Sequence, residues 1–374
     1  MRTGFDDGQL TRIARRALGT PEATLLDHEI VPLEYDAYLP GRTVTRIAGQ
    51  ALVEGRRSPW SAVLKWTDSP VRTPTAPIEG GRREALAYRS GVLDLEGDLR
   101  VPRAYEIVLD DDGQVALWLE DIRATGPDRW PLDMYAKAAH ALGRFNGGYL
   151  VRPLPHHPWL VSDWAERQSE PTDIAAGLAE IATCASADRV RRALGDDIGQ
   201  RAARMLEDQQ RFIADLSRLP QTLCHHDAAR SNLIARRRRD GATEIVAIDW
   251  ESTGSGAVGA DIATLVSGSL RKGDFPAQHT SQLDSVVFDG YLAGLRQAGW
   301  TGDARIARSG YATSLALRCW FVRDTLRNLS DPDARPIFGR ARHVAPGEVL
   351  RAFALVTRFL LDRADEARAL LRAL

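Results

Sequence analysis

Leu223-Cys224-His225-His226-Asp227-Ala228-Ala229-Arg230-Ser231-Asn232 opens a stretch that closes at Ile248-Asp249-Trp250-Glu251. It holds the spacing H-x-D-x-x-x-x-N, followed by an apolar run that ends on an aspartate. Leu233 to Ala235 and Thr243 to Ile248 have strand composition, and the basic run Arg236 to Arg239 with Asp240-Gly241 reads as the turn between them. The pattern predicts a hairpin with Asp227 and Asn232 in the loop that enters it and Asp249 just past its exit. All three polar side chains are expected to face one cleft.

These residue types suit phosphoryl transfer from a nucleotide, in which a protein positions a hydroxyl and holds a divalent ion against phosphates rather than supplying covalent chemistry. A carboxylate beside the acceptor orients the hydroxyl and takes its proton, the catalytic role expected of Asp227. A second carboxylate and an amide oxygen are hard ligands, and magnesium takes few of these while keeping several waters. Asn232 and Asp249 are therefore the expected metal ligands. An Asp in a turn and an Asn before a strand are also ordinary loop residues, but the joint spacing with a third polar residue at the strand end favours chemistry over coincidence.

The stretch resembles the aminoglycoside phosphotransferase and choline kinase family, the small-molecule branch of the protein-kinase-like fold. The likeness rests on His225 to Asn232, on Asp249-Trp250-Glu251, and on Gly259-Ala260-Asp261-Ile262-Ala263 shortly after. It implies that Asp261 braces the catalytic loop from the start of a helix, with His225 part of the same support, and that ATP or GTP and Mg2+ are the cofactors. His226 departs from the family pattern, which more often has Gly or another small or polar residue there.

With 374 residues the chain is long enough for two domains or one bilobal unit with a substantial core. Its formal net charge of -1 argues against nucleic acid as a main partner, and Arg236 to Arg239 is expected to be a solvated hairpin tip. Cys184, Cys224 and Cys319 are isolated and odd in number, as suits buried thiols in a reducing compartment. Met1 to Gly19 has no continuous apolar run, and no later stretch approaches the length of a membrane span. A cytoplasmic protein with no membrane partner is the expectation. Of the 49 basic residues only Lys65, Lys137 and Lys272 are lysines, a bias that suggests a GC-rich genome. A lysine kept inside an apolar strand therefore merits a functional hypothesis.

Along the chain, Gln9 to Leu18 has helical spacing. Ala23 to Val31, Thr43 to Val53 and Trp60 to Trp66 read as an antiparallel meander, with Pro40-Gly41 and Glu54 to Pro59 as its connections. Lys65 falls near the end of the third strand, and Glu84 follows in a helix-like stretch from Arg82 to Ser90. The resemblance implies that Lys65 reaches the nucleotide phosphates and that Glu84 holds it there. A glycine-rich phosphate cover is missing, since Pro32 to Arg42 contains Gly41 alone. Tyr105 to Leu109 and Gln114 to Leu119 flank Asp110-Asp111-Asp112-Gly113, a hairpin signal. Leu119-Glu120-Asp121-Ile122 resembles the family hinge, whose backbone would read the adenine edge, so Glu120 and Ile122 join the expected nucleotide contacts. Asp133 to Tyr149 predicts a long helix, and Ser162 to Leu219, Ile262 to Leu270, Gln282 to Ala298, Ala304 to Asn328 and Glu348 to Ala373 look helical. Ser330 to Pro346 reads as a loop.

The expectation is an α+β, bilobal protein-kinase-like fold with an antiparallel sheet lobe over 1–119 and a mainly helical lobe over 120–374 that carries the catalytic loop and acceptor pocket. The implied activity transfers a γ-phosphoryl group to a hydroxyl of a small molecule. An antibiotic or aminosugar is preferred over a common metabolite such as a sugar, choline or homoserine. A cationic acceptor would need acids in the cleft, and Asp163, Glu166, Asp284, Asp289 and Asp324 are the available ones. Trp164, Trp300, Trp320 and Phe321 suit core and pocket lining equally. A nucleotide-binding regulator without catalysis is one rival. A protein kinase is another, disfavoured because no D-F-G to A-P-E segment follows Asp249.

Overall fold

The computed structural model describes residues 5–33, 42–67, 80–95, 97–110, 114–169, 173–238, 240–331 and 345–373. Most of the glycine-poor Pro32 to Arg42 segment and of the Ser330 to Pro346 loop, with Arg239 and the tip of the Asp110 to Gly113 turn, lies outside them. The chain divides into two compact units. One comprises Met1–Leu95, Arg100–Ala124 and Val246–Ser252, and the other Glu96–Leu99, Thr125–Ile245 and Thr253–Leu374.

The first unit starts with α1 (Asp7–Leu18), capped by the Asp6 side chain on the Gln9 N–H. There follow β1 (Thr24–Pro32), β2 (Arg42–Val53), β3 (Arg56–Thr67), α2 (Gly80–Arg89), a short β4 (Leu99–Arg100) whose Leu99 is assigned to the second unit, β5 (Ala104–Leu109) and β6 (Val115–Glu120). Five of these strands form an antiparallel sheet in the order β1-β2-β3-β6-β5. Period-two alternation gives the sheet its core face: Ile47, Ala62, Leu64 and Trp118 pack with Leu10 and Ile13 of α1 in one apolar cluster. The same alternation turns Lys65 to the opposite face. β3 begins at Arg56, so the connection expected over Glu54 to Pro59 shrinks to a two-residue turn, because β2 and β3 stay paired out to Val53 and Arg56.

The second unit contains α3 (Leu132–Val151), α4 (Trp164–Gln168), α5 (Ile174–Ala185), α6 (Asp188–Leu194), α7 (Ile198–Glu207) and α8 (Gln209–Arg218). Next come β7 (Gln221–Cys224), the hairpin β8 (Leu233–Arg237) and β9 (Thr243–Ala247), and β10 (Gly254–Ala257). The chain ends in α9 (Ala260–Arg271), α10 (Thr280–Gln297), α11 (Ala304–Ala316), α12 (Cys319–Ser330) and α13 (Pro346–Ala373). The chain crosses into the first unit within β9 and returns after Ser252.

Two local expectations change, and one strand was not anticipated. Arg236 is not a solvated tip residue: strand pairing continues to Arg237, and Arg236 Nε donates to Glu244 at 2.6 Å. Gly254-Ser255-Gly256-Ala257 has loop composition yet forms β10, because β7 supplies the ladder partners its sequence cannot announce. Ala304 to Asn328 is two helices rather than one, broken at Leu317 and Arg318, and Arg318 Nη2 donates to Thr264 Oγ1 at 3.1 Å.

α3 and α10 approach closely through small residues. A Cβ built on Gly294 would lie 2.1 Å from the His140 carbonyl oxygen, and one on Gly143 would lie 2.1 Å from that of Tyr291. Both obstacles are backbone and do not swing aside. Gly294→Ala is therefore expected to destabilise the protein by about 2 kcal/mol or more, as overpacking of a tight contact does. Denaturant unfolding of the variant beside the parent measures it, and equal midpoints contradict the close approach.

Candidate active site

In the second unit, β7 delivers the chain into the His225 to Asn232 loop, and one buried carboxylate holds that loop's entrance. Asp261, with 0% exposure at the start of α9, accepts the His226 N–H on Oδ1 at 2.8 Å and the His225 N–H on Oδ2 at 3.0 Å. Asn146 on α3 donates to Asp261 Oδ2 at 3.0 Å and to the Leu223 carbonyl at 2.8 Å. Tyr291 on α10 donates to Asn146 Oδ1 at 2.8 Å and accepts the Gly259 N–H at 3.0 Å. Every polar side-chain atom of this buried network is used, the condition under which buried polar groups rigidify a fold.

Beyond the brace, the loop closes on itself. The Asp227 N–H donates to His225 Nδ1 at 3.2 Å, so the His225 ring supports the turn. Asn232 Nδ2 donates to the Asp227 carbonyl at 2.9 Å and to its Oδ2 at 2.8 Å. With Nδ2 turned to Asp227, Oδ1 is the atom of Asn232 suited to a hard cation.

His226 sits at φ 65, a left-handed conformation that favours glycine and that His adopts more readily than branched residues. Its ring stacks on Trp164 with centroids 5.0 Å apart, and Nε2 lies 3.0 Å from the Ser255 carbonyl. Gly256 makes room for it, since a Cβ there would fall 2.5 Å from His226 Cε1. Burial, outweighing the attraction of Asp261, pushes the His226 pKa down to about 4, and the ring is neutral at pH 7. Cys224, His226 and Asp261 are close enough to suggest a metal. Both Asp261 oxygens already accept backbone N–H groups and burial pushes the Cys224 thiol well up, so the trio is built for packing.

The first unit holds the other expected residues. Lys65 Nζ lies 2.8 Å from Glu84 Oε2 on α2 and 2.8 Å from Asp249 Oδ1. Burial alone would lower its pKa, but the two carboxylates overcome this and raise it, so the ammonium stays charged. Glu84 also accepts the Trp250 N–H at 3.2 Å. Asp249 has φ 67, and strain of this kind concentrates where surrounding structure over-determines a residue. Arg42 holds Glu251 at 2.7 Å, while burial and then the Asp249 charge push the Glu251 carboxyl up. At the expected hinge, the Glu120 N–H donates to the Arg103 carbonyl at 2.8 Å and its carboxylate accepts from Arg100 at 3.2 Å. Asp121 pairs with Arg46 at 3.0 Å. Ile122 makes no backbone hydrogen bond among the described residues.

Within the second unit a cavity of about 190 Å³ opens beside Asp227. Arg271, Lys272 and Arg318 supply cations to its wall, and Trp164, Trp320 and Phe321 supply aromatic surface. Trp300 is instead buried beside Arg296. Four of the five candidate acids are engaged elsewhere. Asp163 pairs with Arg167, Asp284 with Arg308 and Arg363, and Asp324 with Arg327, while Asp289 faces Ser285. Glu166 alone lines a described cavity, a second one that shares Trp164, His226 and Arg318 with the first. Sequence reading passed over Asn146, Tyr291 and Arg318. Asn146 carried one signal, an amide among the apolar positions of a helix.

A pH dependence follows from His226. Its folded pKa of about 4 lies below the ordinary 6.5, so folding opposes protonation. The contribution is complete above pH 6.5 and is lost as pH falls toward 4, about 3 kcal/mol in all. His226→Asn, which tolerates the left-handed backbone, is expected to flatten that part of the stability profile. Equal slopes for variant and parent in unfolding between these pH values contradict a buried neutral ring.

No curated protein sequence matches the chain. Among solved structures it is similar to an aminoglycoside phosphotransferase from Alicyclobacillus acidocaldarius subsp. acidocaldarius, with 15% identity over 94% of this chain and 91% of that one and a TM-score of 0.49. It is similar also to an amicoumacin kinase in complex with AMP-PNP, Ca2+ and Ami, with 15% identity over 98% and 96% and a TM-score of 0.48. A microcompartment-associated aminopropanol kinase gives 15% identity over 96% and 98% with a TM-score of 0.44. The model of the phosphotransferase enzyme family matches residues 52–301, more than half of the chain. That span takes in Lys65, Glu84, the His225 to Asn232 loop, Asp249 and Asp261, and the chain belongs to the phosphotransferase enzyme family, with its α+β protein-kinase-like fold.

Proposed function

We propose that this phosphotransferase moves the γ-phosphoryl group of ATP or GTP, with Mg2+, onto a hydroxyl of a small molecule. The observation that carries the proposal is Asp227, a carboxylate fixed by Asn232 at 2.8 Å in a braced loop and bordering a cavity of about 190 Å³. In this role Asp227 accepts the acceptor's hydroxyl hydrogen bond, orients its oxygen for in-line attack and takes its proton. Asn232 Oδ1 and Asp249 are the hard ligands that fit magnesium, which when bound neutralises charge on the phosphate oxygens. Lys65, steadied by Glu84, serves the α and β phosphates. The backbones of Glu120 and Ile122 serve the adenine edge, a role that suits Ile122, whose backbone makes no backbone hydrogen bond among the described residues. Asp261 and His225 hold the loop in register. Residues 1–119 then form the nucleotide lobe and 120–374 the catalytic and acceptor lobe.

A hydroxylated antibiotic remains the favoured acceptor over a common sugar, choline or homoserine. The aminosugar reading loses support, because the wall beside Asp227 carries three cations and, of the five acids that would greet a polycation, only Glu166 lines a described cavity while the others are engaged elsewhere. A screen of nucleotide consumption against hydroxylated antibiotics, aminosugars and metabolites, with product mass checked for a phosphoryl gain, tests the activity. Tight nucleotide binding with no acceptor at all would favour the regulator instead.

Asp227→Asn is expected to lower single-turnover transfer by about a hundredfold or more, the scale of a lost general base, while nucleotide binding stays within a few fold. Unchanged transfer contradicts the role. Asp249→Asn is expected to weaken nucleotide binding in the presence of magnesium and to leave metal-free binding nearly as it was. Titration calorimetry in both conditions separates this from misfolding, which would lower both alike.

A further inference from the structure

The cavity beside Asp227 has a charge imbalance that the phosphoryl-transfer chemistry does not use. Arg318 is 8% exposed, at the break between α11 and α12, and lines both described cavities. Its Nη2 donates to Thr264 Oγ1 at 3.1 Å, and among the described residues its Nε has no hydrogen-bond partner. Burial, and then the like charge of Arg271, push the Arg318 pKa down to about 10, with Asp227 as the opposing carboxylate. Burial also pulls Arg271 down. At neutral pH both guanidinium groups remain charged. Among the described residues Asp227 is the one acid on this wall, and it faces Arg271, Lys272 and Arg318.

A buried charge is retained at a cost unless a counter-charge and hydrogen bonds meet it. A guanidinium is moreover the side chain best matched to a planar or tetrahedral oxyanion, through its fork of donors. Trp164, stacked on the neutral His226 ring, and Trp320, beside Arg271, add flat apolar surface to the same cavity. We propose that the acceptor is an anionic hydroxy compound: a carboxylate or phosphate group seats against Arg318, with Lys272 and Arg271 adding positive field, while an apolar portion lies on Trp164 and Trp320 and the hydroxyl meets Asp227. The inference rests on the assignment of Asp227 to the acceptor hydroxyl and deepens it by naming the acceptor's charge.

Thr264 extends the contact to the loop. Its hydroxyl accepts from Arg318 and lies 3.3 Å from the His226 carbonyl, to which it donates. Two hydrogen bonds, through Thr264, thus link Arg318 to the segment that positions Asp227.

The test uses the full chain saturated with magnesium and a non-hydrolysable ATP analogue, at low ionic strength to limit screening. The probes are phenyllactate, its primary amide, the amino alcohol of the same skeleton, and inorganic phosphate as the anion alone, each titrated calorimetrically. The parent is expected to bind an anionic probe at least about tenfold tighter than the amide, with the amino alcohol weakest, the scale of one charge-assisted contact. Arg318→Met is expected to erase that ranking and leave the affinity for the nucleotide analogue unchanged, whereas Arg318→Lys keeps part of it. If Arg318→Met fails to fold, Lys272→Glu at the cavity's exposed side is expected to reduce the same preference. The inference is overturned if no anionic probe binds, if the amide or amino alcohol binds as well as the anion, or if Arg318→Met lowers nucleotide affinity and leaves the ranking intact. Phosphoryl gain is scored separately in the acceptor screen. Transfer to cationic acceptors there would sink the charge assignment alone, and an Arg318-dependent anion preference without any transfer would sink the kinase reading alone.

Discussion

The carboxylate of Asp261 is the constraint that fixes the path of the His225 to Asn232 loop in the second unit. It is fully buried and meets only N–H donors, two from the loop backbone and one from Asn146. A buried carboxylate is tolerable only if its lone pairs are filled, so the loop must adopt the path that brings the N–H groups of His225 and His226 inward. That path throws His226 into the left-handed region and turns Asp227 away from the core toward the cavity. Asn146 and Tyr291 then carry the constraint into α3 and α10, the two helices packed through facing glycines. A packing contact and the carboxylate proposed for catalysis are thereby parts of one mechanical unit.

In the first unit the corresponding role falls to Lys65. An ammonium between two carboxylates costs desolvation, and its net stabilisation of a fold is small. Its value lies in position. Glu84 fixes the head group from α2, and Asp249, itself held at a positive φ, lies at the same distance on the other side. Both units therefore carry a non-glycine residue in the left-handed region next to the group assigned to chemistry. Local strain accompanies over-determined geometry at such sites.

The cavity beside Asp227, proposed to receive the acceptor, has its own character. Helical surfaces in this chain are crowded with arginine–carboxylate pairs, which take up Asp163 and Asp324, while Asp284 is buried against Arg308 and Arg363. Exposed pairs of that kind contribute little stability, but they decide which charges remain to face a ligand. What remains near Asp227 is cationic and aromatic, with a buried guanidinium in the cavity wall.

Much of this was legible in the order of residues. The Asp227 to Asn232 spacing, the aspartate at a strand end, a rare lysine inside an apolar strand and an acid on the following helix are local patterns. Strand and helix periodicities of two and 3.6 residues place such side chains on a face without knowledge of what lies opposite. The sheet's core face, α1 and α3 were readable for the same reason. Gly254 to Ala257 was not, because a glycine-rich segment becomes a strand only when a partner strand is supplied. Nor were Asn146, which meets Asp261 across 115 positions, and Tyr291, which meets Asn146 across 145. The neutrality of His226 and the isolation of the Arg318 Nε were equally hidden. Sequence by itself determined which chemical groups are present and on which local face each lies. Tertiary structure alone decided which of them are paired, desolvated or left facing a cavity, because burial and hydrogen bonding depend on neighbours that chain order does not name.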